Sequence, residues 1–209
     1  MKKYAVELIG TFFLVLTIGM TVVQTPTGVI PPLAIGAALM VMVYAGGHIS
    51  GAHYNPAVTL AVFLRGRCPA SDVPGYLIAQ VVGALFAAQA TLYLKHGPTL
   101  PPPGTPDVMR WLIAEFLFTF ALAWVVLNVA TSKATAGNSY FGLAIAFTVM
   151  AGAFAMGAIS GAAFNPAVAV GVASLGLLAW GNLWIFLVAN FAGGALAAVA
   201  FKALNPQDP

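Results

Sequence analysis

The chain has 209 residues, of which 61% are hydrophobic and only 6% charged, a balance that excludes an ordinary soluble domain. Its net charge of +3 is too thinly spread for a nucleic-acid surface, and the single Cys68 excludes an intramolecular disulfide. What remains is a chain built for the bilayer, with no stretch left over for a separate soluble domain.

Taken in order, apolar runs of bilayer length fall at roughly 4–23, 29–49, 74–94, 111–130, 140–159 and 182–204, each near the ~20 residues a span requires. The first follows Met1-Lys2-Lys3, the opening of a signal peptide. Glu7 interrupts it, however, and no small-x-small cleavage site precedes Pro26, so it is read as a first span. Glu7 is followed by Thr11-Phe12, and in the fourth run Glu115 is followed by Thr119-Phe120. A carboxylate at membrane depth needs a partner. The recurrence of the pattern argues for a structural carboxylate that accepts hydrogen bonds from exposed backbone N–H groups rather than for a proton relay.

After the second run comes Gly47-His48-Ile49-Ser50-Gly51-Ala52-His53-Tyr54-Asn55-Pro56-Ala57-Val58. After the fifth comes Gly157-Ala158-Ile159-Ser160-Gly161-Ala162-Ala163-Phe164-Asn165-Pro166-Ala167-Val168, identical at nine of the twelve positions. The glycines predict an irregular lead-in from Gly47 and Gly157 onward. Asn then Pro predicts a helix start, with Asn as N-cap and Pro where a free N–H would have had no partner. The first such helix ends near Arg65-Gly66-Arg67, so it covers about 15 Å, half of a ~30 Å hydrocarbon core. It is a half-membrane helix.

The duplication extends beyond the motif. Leu33-Ala34-Ile35 matches Leu143-Ala144-Ile145, and Gln80, Gly83, Ala87 and Ala88 match Asn190, Gly193, Ala197 and Ala198. The repeats cover about 1–95 and 107–204 of one domain, 1–209, joined by a proline-rich connection between Lys95 and Pro106. Three spans per repeat is an odd number, so the two halves lie upside down to one another. The expected fold is therefore all-α: six transmembrane helices plus two re-entrant half-helices in an inverted three-plus-three repeat. Lys2, Lys3, Arg65, Arg67, Lys133 and Lys202 fall on one side, Lys95 and Arg110 on the other, which predicts cytoplasmic termini.

Inversion brings Asn55 and Asn165 together near the midplane, with the positive ends of two helix dipoles converging there. Such a site suits neutral hydrogen-bonding solutes and disfavours cations and protons. His48 and His53 read as loop-bracing donors or pore groups, since a metal site lacks Cys or carboxylate partners nearby. No cofactor is expected. Tyr54 and Phe164 are expected to pack or line the wall, and Trp124, Trp180 and Trp184 to face the interface or lipid.

Two Asn-Pro-Ala motifs, Asn55-Pro56-Ala57 and Asn165-Pro166-Ala167, each opening a half-helix in matched context, resemble those of the aquaporin and aquaglyceroporin (major intrinsic protein) family. The resemblance covers nearly the whole chain. It implies one pore per subunit and a homotetramer, with Glu7, Glu115 and His48 in structural support. It also places the family's narrow filter by spacing. Ile35 stands where water-selective members have an aromatic, and Ala153 where they have His. Ala162 lies three residues before the second Asn, and Val168 stands where nearly all members have Arg. This sequence departs at every position that defines water selectivity.

The expected function is a passive channel for small uncharged solutes through a wide apolar filter. Water and glycerol-sized polar solutes are its expected cargo, with neutral metalloid acids or their methylated forms in the same range. The rivals are a water-selective channel constricted at Ile35, a secondary transporter, an intramembrane enzyme and a junction protein. A transporter wants midplane charges beyond Glu7 and Glu115, and no nucleophile–base pair supports an enzyme. The expected partners are small neutral solutes and membrane lipid, with no nucleic acid. The short loops and the absence of any Asn-x-Ser/Thr sequon point to a prokaryotic inner membrane.

Overall fold

The computed structural model describes residues 1–23, 28–96 and 105–208, and no strand occurs among them. In chain order the helices are α1 (Lys2–Val22), α2 (Ile30–Ser50), α3 (Pro56–Leu64), α4 (Val73–Leu94), α5 (Val108–Val126), α6 (Phe141–Ser160), α7 (Pro166–Ser174) and α8 (Leu183–Leu204). A π-helical turn, Leu127–Thr131, extends α5, and a 3-10 turn, Trp180–Asn182, precedes α8. Six of these helices are long and apolar enough to cross a membrane. The other two, α3 and α7, have nine residues each. Most of the proline-rich connection, residues 97–104, lies outside the described residues.

One expectation needs correcting. Gly47 and Gly157 do not begin irregular backbone: α2 runs on to Ser50 and α6 to Ser160. The glycine of that turn with a packing role is Gly46, whereas Gly157 has nothing within 4 Å of where a Cβ would stand. A Cβ on Gly46 would stand 1.9 Å from the Tyr54 hydroxyl, so this turn of helix admits the tyrosine ring only because it carries no side chain. Tertiary contact outweighs the weak helix propensity of glycine. The irregular backbone is confined to Gly51–Tyr54 and Gly161–Phe164, before the capping Asn55 and Asn165.

Small residues set how closely the long helices approach. A Cβ on Gly83 of α4 would lie 2.5 Å from the Leu8 carbonyl oxygen of α1, and one on Gly193 of α8 2.7 Å from the Phe116 carbonyl oxygen of α5. Ala87 and Ala197, one turn on, are fully buried. Without a hydrophobic driving force in lipid, such backbone-to-backbone contact is the main source of helix association. The half-helices seat on distant partners: α3 lies against Gly194 of α8, and α7 against Val15 of α1 and Ala84 of α4.

An even number of crossings puts both ends of the chain on one face, here termed the terminal face. An ionic cluster ties it together. Arg65, at the end of α3, is buried against the Phe201 ring at 4.6 Å and donates to the Asp208 carboxylate at 2.6 Å. The same carboxylate accepts from the Lys133 N–H at 2.8 Å and the Ser132 hydroxyl at 3.0 Å. Those bonds, the backbone one first, hold the Asp208 carboxyl below its ordinary range, at about 2. Lys202 donates to the Leu64 carbonyl at 3.1 Å, placing a cation at the negative end of α3. Nearby, Lys3 pairs with Asp72.

Candidate functional site

The site is built where the two short helices begin. Asn55 and Asn165 have extended backbone, φ −156° and −159°, and each side-chain oxygen accepts from the second and third residues of its own motif's helix. For Asn55 the bonds come from Ala57 at 2.8 Å and Val58 at 3.4 Å, and for Asn165 from Ala167 at 2.9 Å and Val168 at 3.3 Å. Pro56 and Pro166 occupy the first helical position, where no N–H is needed. Each cap is worth about 1 kcal/mol.

The amide nitrogens reach across to the opposite loop. Asn55 Nδ2 donates to the Phe164 carbonyl and Asn165 Nδ2 to the Tyr54 carbonyl, both at 2.8 Å. A primary amide carries two donors, so each Asn retains one after the cross-tie. Both side chains line the central cavity. The arrangement holds two helix N-termini against one another and leaves a donor from each Asn for a passing solute.

The loops that carry these Asn residues are strained. Ala52, Tyr54, Ala162 and Phe164 have φ between 49° and 56°, a left-handed conformation costing about 1–3 kcal/mol per residue. Two buried carboxylates hold that geometry. Glu7 accepts from the His53 and Tyr54 N–H groups at 2.9 and 2.6 Å, from the Ser50 hydroxyl at 2.7 Å and from Gln80 at 2.8 Å. Glu115 accepts from the Ala163 and Phe164 N–H groups at 3.0 and 2.7 Å, from Ser160 at 2.7 Å and from Asn190 at 3.0 Å. All four carboxylate oxygens thus receive two donors each, which leaves neither Glu a lone pair disposed to carry protons.

The aromatic residues before each Asn are buried. Tyr54 donates its hydroxyl to the Met42 carbonyl at 2.9 Å, and Phe164 stacks on Phe118 at 5.3 Å. His53 braces the first loop: its Nδ1 lies 3.1 Å from the Thr59 hydroxyl, which itself donates to the Asn55 carbonyl. The expected support from His48 is absent. Because α2 remains helical to Ser50, His48 falls on an exposed face of its last turn, with no hydrogen bond among the described residues. Trp180 and Trp184 are exposed as expected, whereas Trp124 is half-buried, stacked on Phe120 and edge-on to Phe201.

A cavity of about 630 Å³ runs past both Asn residues, and Ile35, Ala153, Ala162 and Val168 all line it. No Lys, Arg, Asp or Glu is among its lining residues. Sequence reasoning missed Trp111 and Phe186, which pack at 5.7 Å and line the same cavity. Trp111 directly follows Arg110 at the start of α5, where no local signal marks it as facing the cavity.

The comparisons with known proteins agree with this geometry. The family described as major intrinsic protein matches residues 1–201. Aquaporin NIP1-1 of Oryza sativa subsp. japonica is 40% identical over 216 residues, covering 98% of this chain and 74% of that relative. Aquaporin Z of Rhodopseudomonas palustris is 34% identical over 229 residues, covering 99% and 94%. The fold is similar to the X-ray structure of the aquaglyceroporin from Plasmodium falciparum, with a TM-score of 0.82, 21% identity and coverage of 99% and 97%. The chain is not an enzyme but a multi-pass membrane channel, and it belongs to the major intrinsic protein (aquaporin) family.

Proposed function

We propose that this channel conducts water together with glycerol-sized uncharged solutes through a wide, apolar filter formed by Ile35, Ala153, Ala162 and Val168. The observation that carries the reading is the uncharged cavity shared by these four residues and the Asn pair. A tight apolar ring would shut by dewetting, because a solute stripped of its bonds loses several kcal/mol per unpaired group. Small side chains at positions 153 and 162 compensate for the absence of a charged donor at 168. A solute then keeps companion water through the ring and exchanges it for the amides of Asn55 and Asn165. Neutral metalloid acids and their methylated forms fall in the same class of size and polarity.

Cations meet two positive helix ends at the Asn pair and no carboxylate in the cavity lining, which supports passive conduction of neutral solutes over ion-coupled transport. The two halves, about 1–95 and 107–204, act as inverted repeats related by an axis in the membrane plane. Lys2, Lys3, Arg65, Arg67, Lys133 and Lys202 belong to the terminal face, which the positive-inside rule assigns to the cytoplasm of a prokaryotic cell. The lipid-facing apolar surface is shared among four subunits in a homotetramer, each with its own pore.

Val168→Arg in proteoliposomes tests the filter. The expected result is a fall in glycerol flux severalfold greater than the fall in water flux. A wild-type protein that passes water but excludes glycerol and urea would refute the wide filter and favour a water-selective pore constricted at Ile35.

A further inference from the structure

The cavity is not symmetric about the Asn pair. At its centre it is lined by matched residues from the two halves: Ile35 and Ile145, Leu39 and Val149, Val58 and Val168. Beyond them it extends toward the face opposite the termini, past Thr21, Pro31 and Leu178. Their counterparts on the terminal side do not line it.

The register of the duplication identifies where the asymmetry begins. The pairing of Ile35 with Ile145 places Val43 of α2 opposite Ala153 of α6. On α6 the residues at i, i+4 and i+8, Ile145, Val149 and Ala153, all line the cavity. On α2 the same spacing gives Ile35 and Leu39, which line it, and Val43, which does not. Two rings of like composition result. Ile35, Ala153, Ala162 and Val168 form the one already described, and Ile145, Val43, Ala52 and Val58 form its mirror on the terminal side. The rings differ in kind at one position, Ala153 against Val43, with His53 beside the second ring where Ala163 stands beside the first.

Accessibility follows that difference. All four residues of the terminal-side ring are buried, and they belong to a single packed cluster, whereas Ile35, Ala153 and Ala162 are partly exposed. Val43 retains 2% of its surface. We infer that the size limit of this channel is set on the terminal side of the Asn pair, by Val43 in the ring with Ile145, Ala52 and Val58, and not by the ring that contains Val168. The inference rests on the proposed conduction of neutral solutes and names the residue that determines how large they can be. A solute entering from the opposite face crosses the wide ring, exchanges hydrogen bonds at Asn55 and Asn165, and is sorted by size only afterwards.

The test compares flux of water, glycerol and a four-carbon polyol through the wild type and three variants, each checked for folding by size-exclusion chromatography. Val43→Ala should raise polyol flux relative to glycerol by roughly tenfold, the discrimination that one methylene carries in an apolar site. Val43→Ile should lower glycerol flux by a similar factor. Ala153→Val, which makes the wide ring match the narrow one, should reduce glycerol flux only to about half, as for two equal barriers in series. Should Val43→Ala not fold, the contrast between Val43→Ile and Ala153→Val decides the same question. An unchanged polyol-to-glycerol ratio in Val43→Ala, or a larger loss in Ala153→Val than in Val43→Ile, would move the size limit to the other ring and leave the proposed function standing. If the wild type excludes glycerol, the proposed solute range fails instead, and admission of glycerol by Val43→Ala would still uphold this inference while continued exclusion would overturn it.

Discussion

Replacing Glu115 offers the sharpest test of what holds the pore loop in place. Its side chain is fully buried, and each oxygen receives two donors: Ser160 and the Ala163 N–H on one, the Phe164 N–H and Asn190 on the other. Glutamine would present one oxygen and one NH2 to that set. The Ser160 hydroxyl can rotate, and the Asn190 amide can turn its unpaired Oδ1 inward, but a backbone N–H can do neither. Whichever way the new amide points, either Ala163 or Phe164 faces a donor. One unsatisfied buried group costs about 1–3 kcal/mol, so Glu115→Gln should lose about 2 kcal/mol. Glu115→Ala strands both N–H groups and leaves a cavity, for a loss of about 4–6 kcal/mol. At roughly 2–4 °C per kcal/mol for a chain of this size, the expected drops in Tm are about 4–8 °C and about 10–20 °C. Thermal unfolding in detergent, read by tryptophan fluorescence, measures both, and flux per folded protein should fall as the strained Ala162 and Phe164 relax. An Ala variant that melts within a degree of wild type would refute the claim that this carboxylate holds the loop.

Three further outcomes follow from the contacts. Gly194→Ala places a Cβ 2.5 Å from the Ala57 carbonyl, so it should destabilise by about 1–3 kcal/mol and reduce flux. Gly181→Ala, with nothing within 4 Å, should melt like wild type in the same assay. Wild-type flux should be insensitive to mercurials because Cys68 is buried, and Ala162→Cys should become sensitive because Ala162 lines the cavity. A resistant Ala162→Cys channel would remove that residue from the pore wall. The depressed Asp208 carboxyl contributes stability that is fully present above its ordinary value of 3.8 and is lost as the pH falls toward about 2. Melting temperature followed from pH 7 downward should therefore show an added decline below about pH 4 in the wild type. Asp208→Asn should start lower and lack that decline, and parallel curves would argue against the tie to Arg65.

Much of this fold was legible because the bilayer imposes it. A fixed hydrocarbon thickness gives each span a required length, and the apolar runs located all six helices. The half-helices were legible from the local chemistry of Asn followed by Pro, which depends on no distant contact. The recurrence of Glu-x-x-x-Thr-Phe marks the two buried carboxylates without reference to their partners. The extra turn of α2 was not legible, because Gly46 is there for the Tyr54 ring and a single glycine does not say which neighbour needs the room. The cross-ties from Asn55 and Asn165 to opposite carbonyls join residues 109 and 111 positions apart, beyond any local signal. Trp111 was missed because, apart from Arg110 and the Glu115–Thr119 stripe that meets the loop, α5 is apolar, so periodicity does not reveal which of its apolar faces meets the cavity. The bond between Arg65 and Asp208 depends on a carboxylate beyond the last span, with no pattern around it.

That last bond bears on how the protein is made. Half-helix α3 emerges early, yet it rests against Gly194, its terminal carbonyl is met by Lys202, and its buried arginine by Asp208, 143 residues later. At 5–20 residues per second the interval is roughly 7–30 s. Throughout it, a nine-residue apolar segment too short to cross the bilayer has Glu7 and Gln80 to hold it but lacks its seat on α8, and its guanidinium lacks the Asp208 carboxylate. Seating of the first half-helix is thus completed only by α8 and Asp208, and ribosomes stalled before α8 would hold an insertion intermediate whose earliest re-entrant segment is only partly seated. Lesions at Lys202 or Asp208 should then appear as defects in the first half, detected by protease cleavage near Arg65 long before any change in the spans themselves.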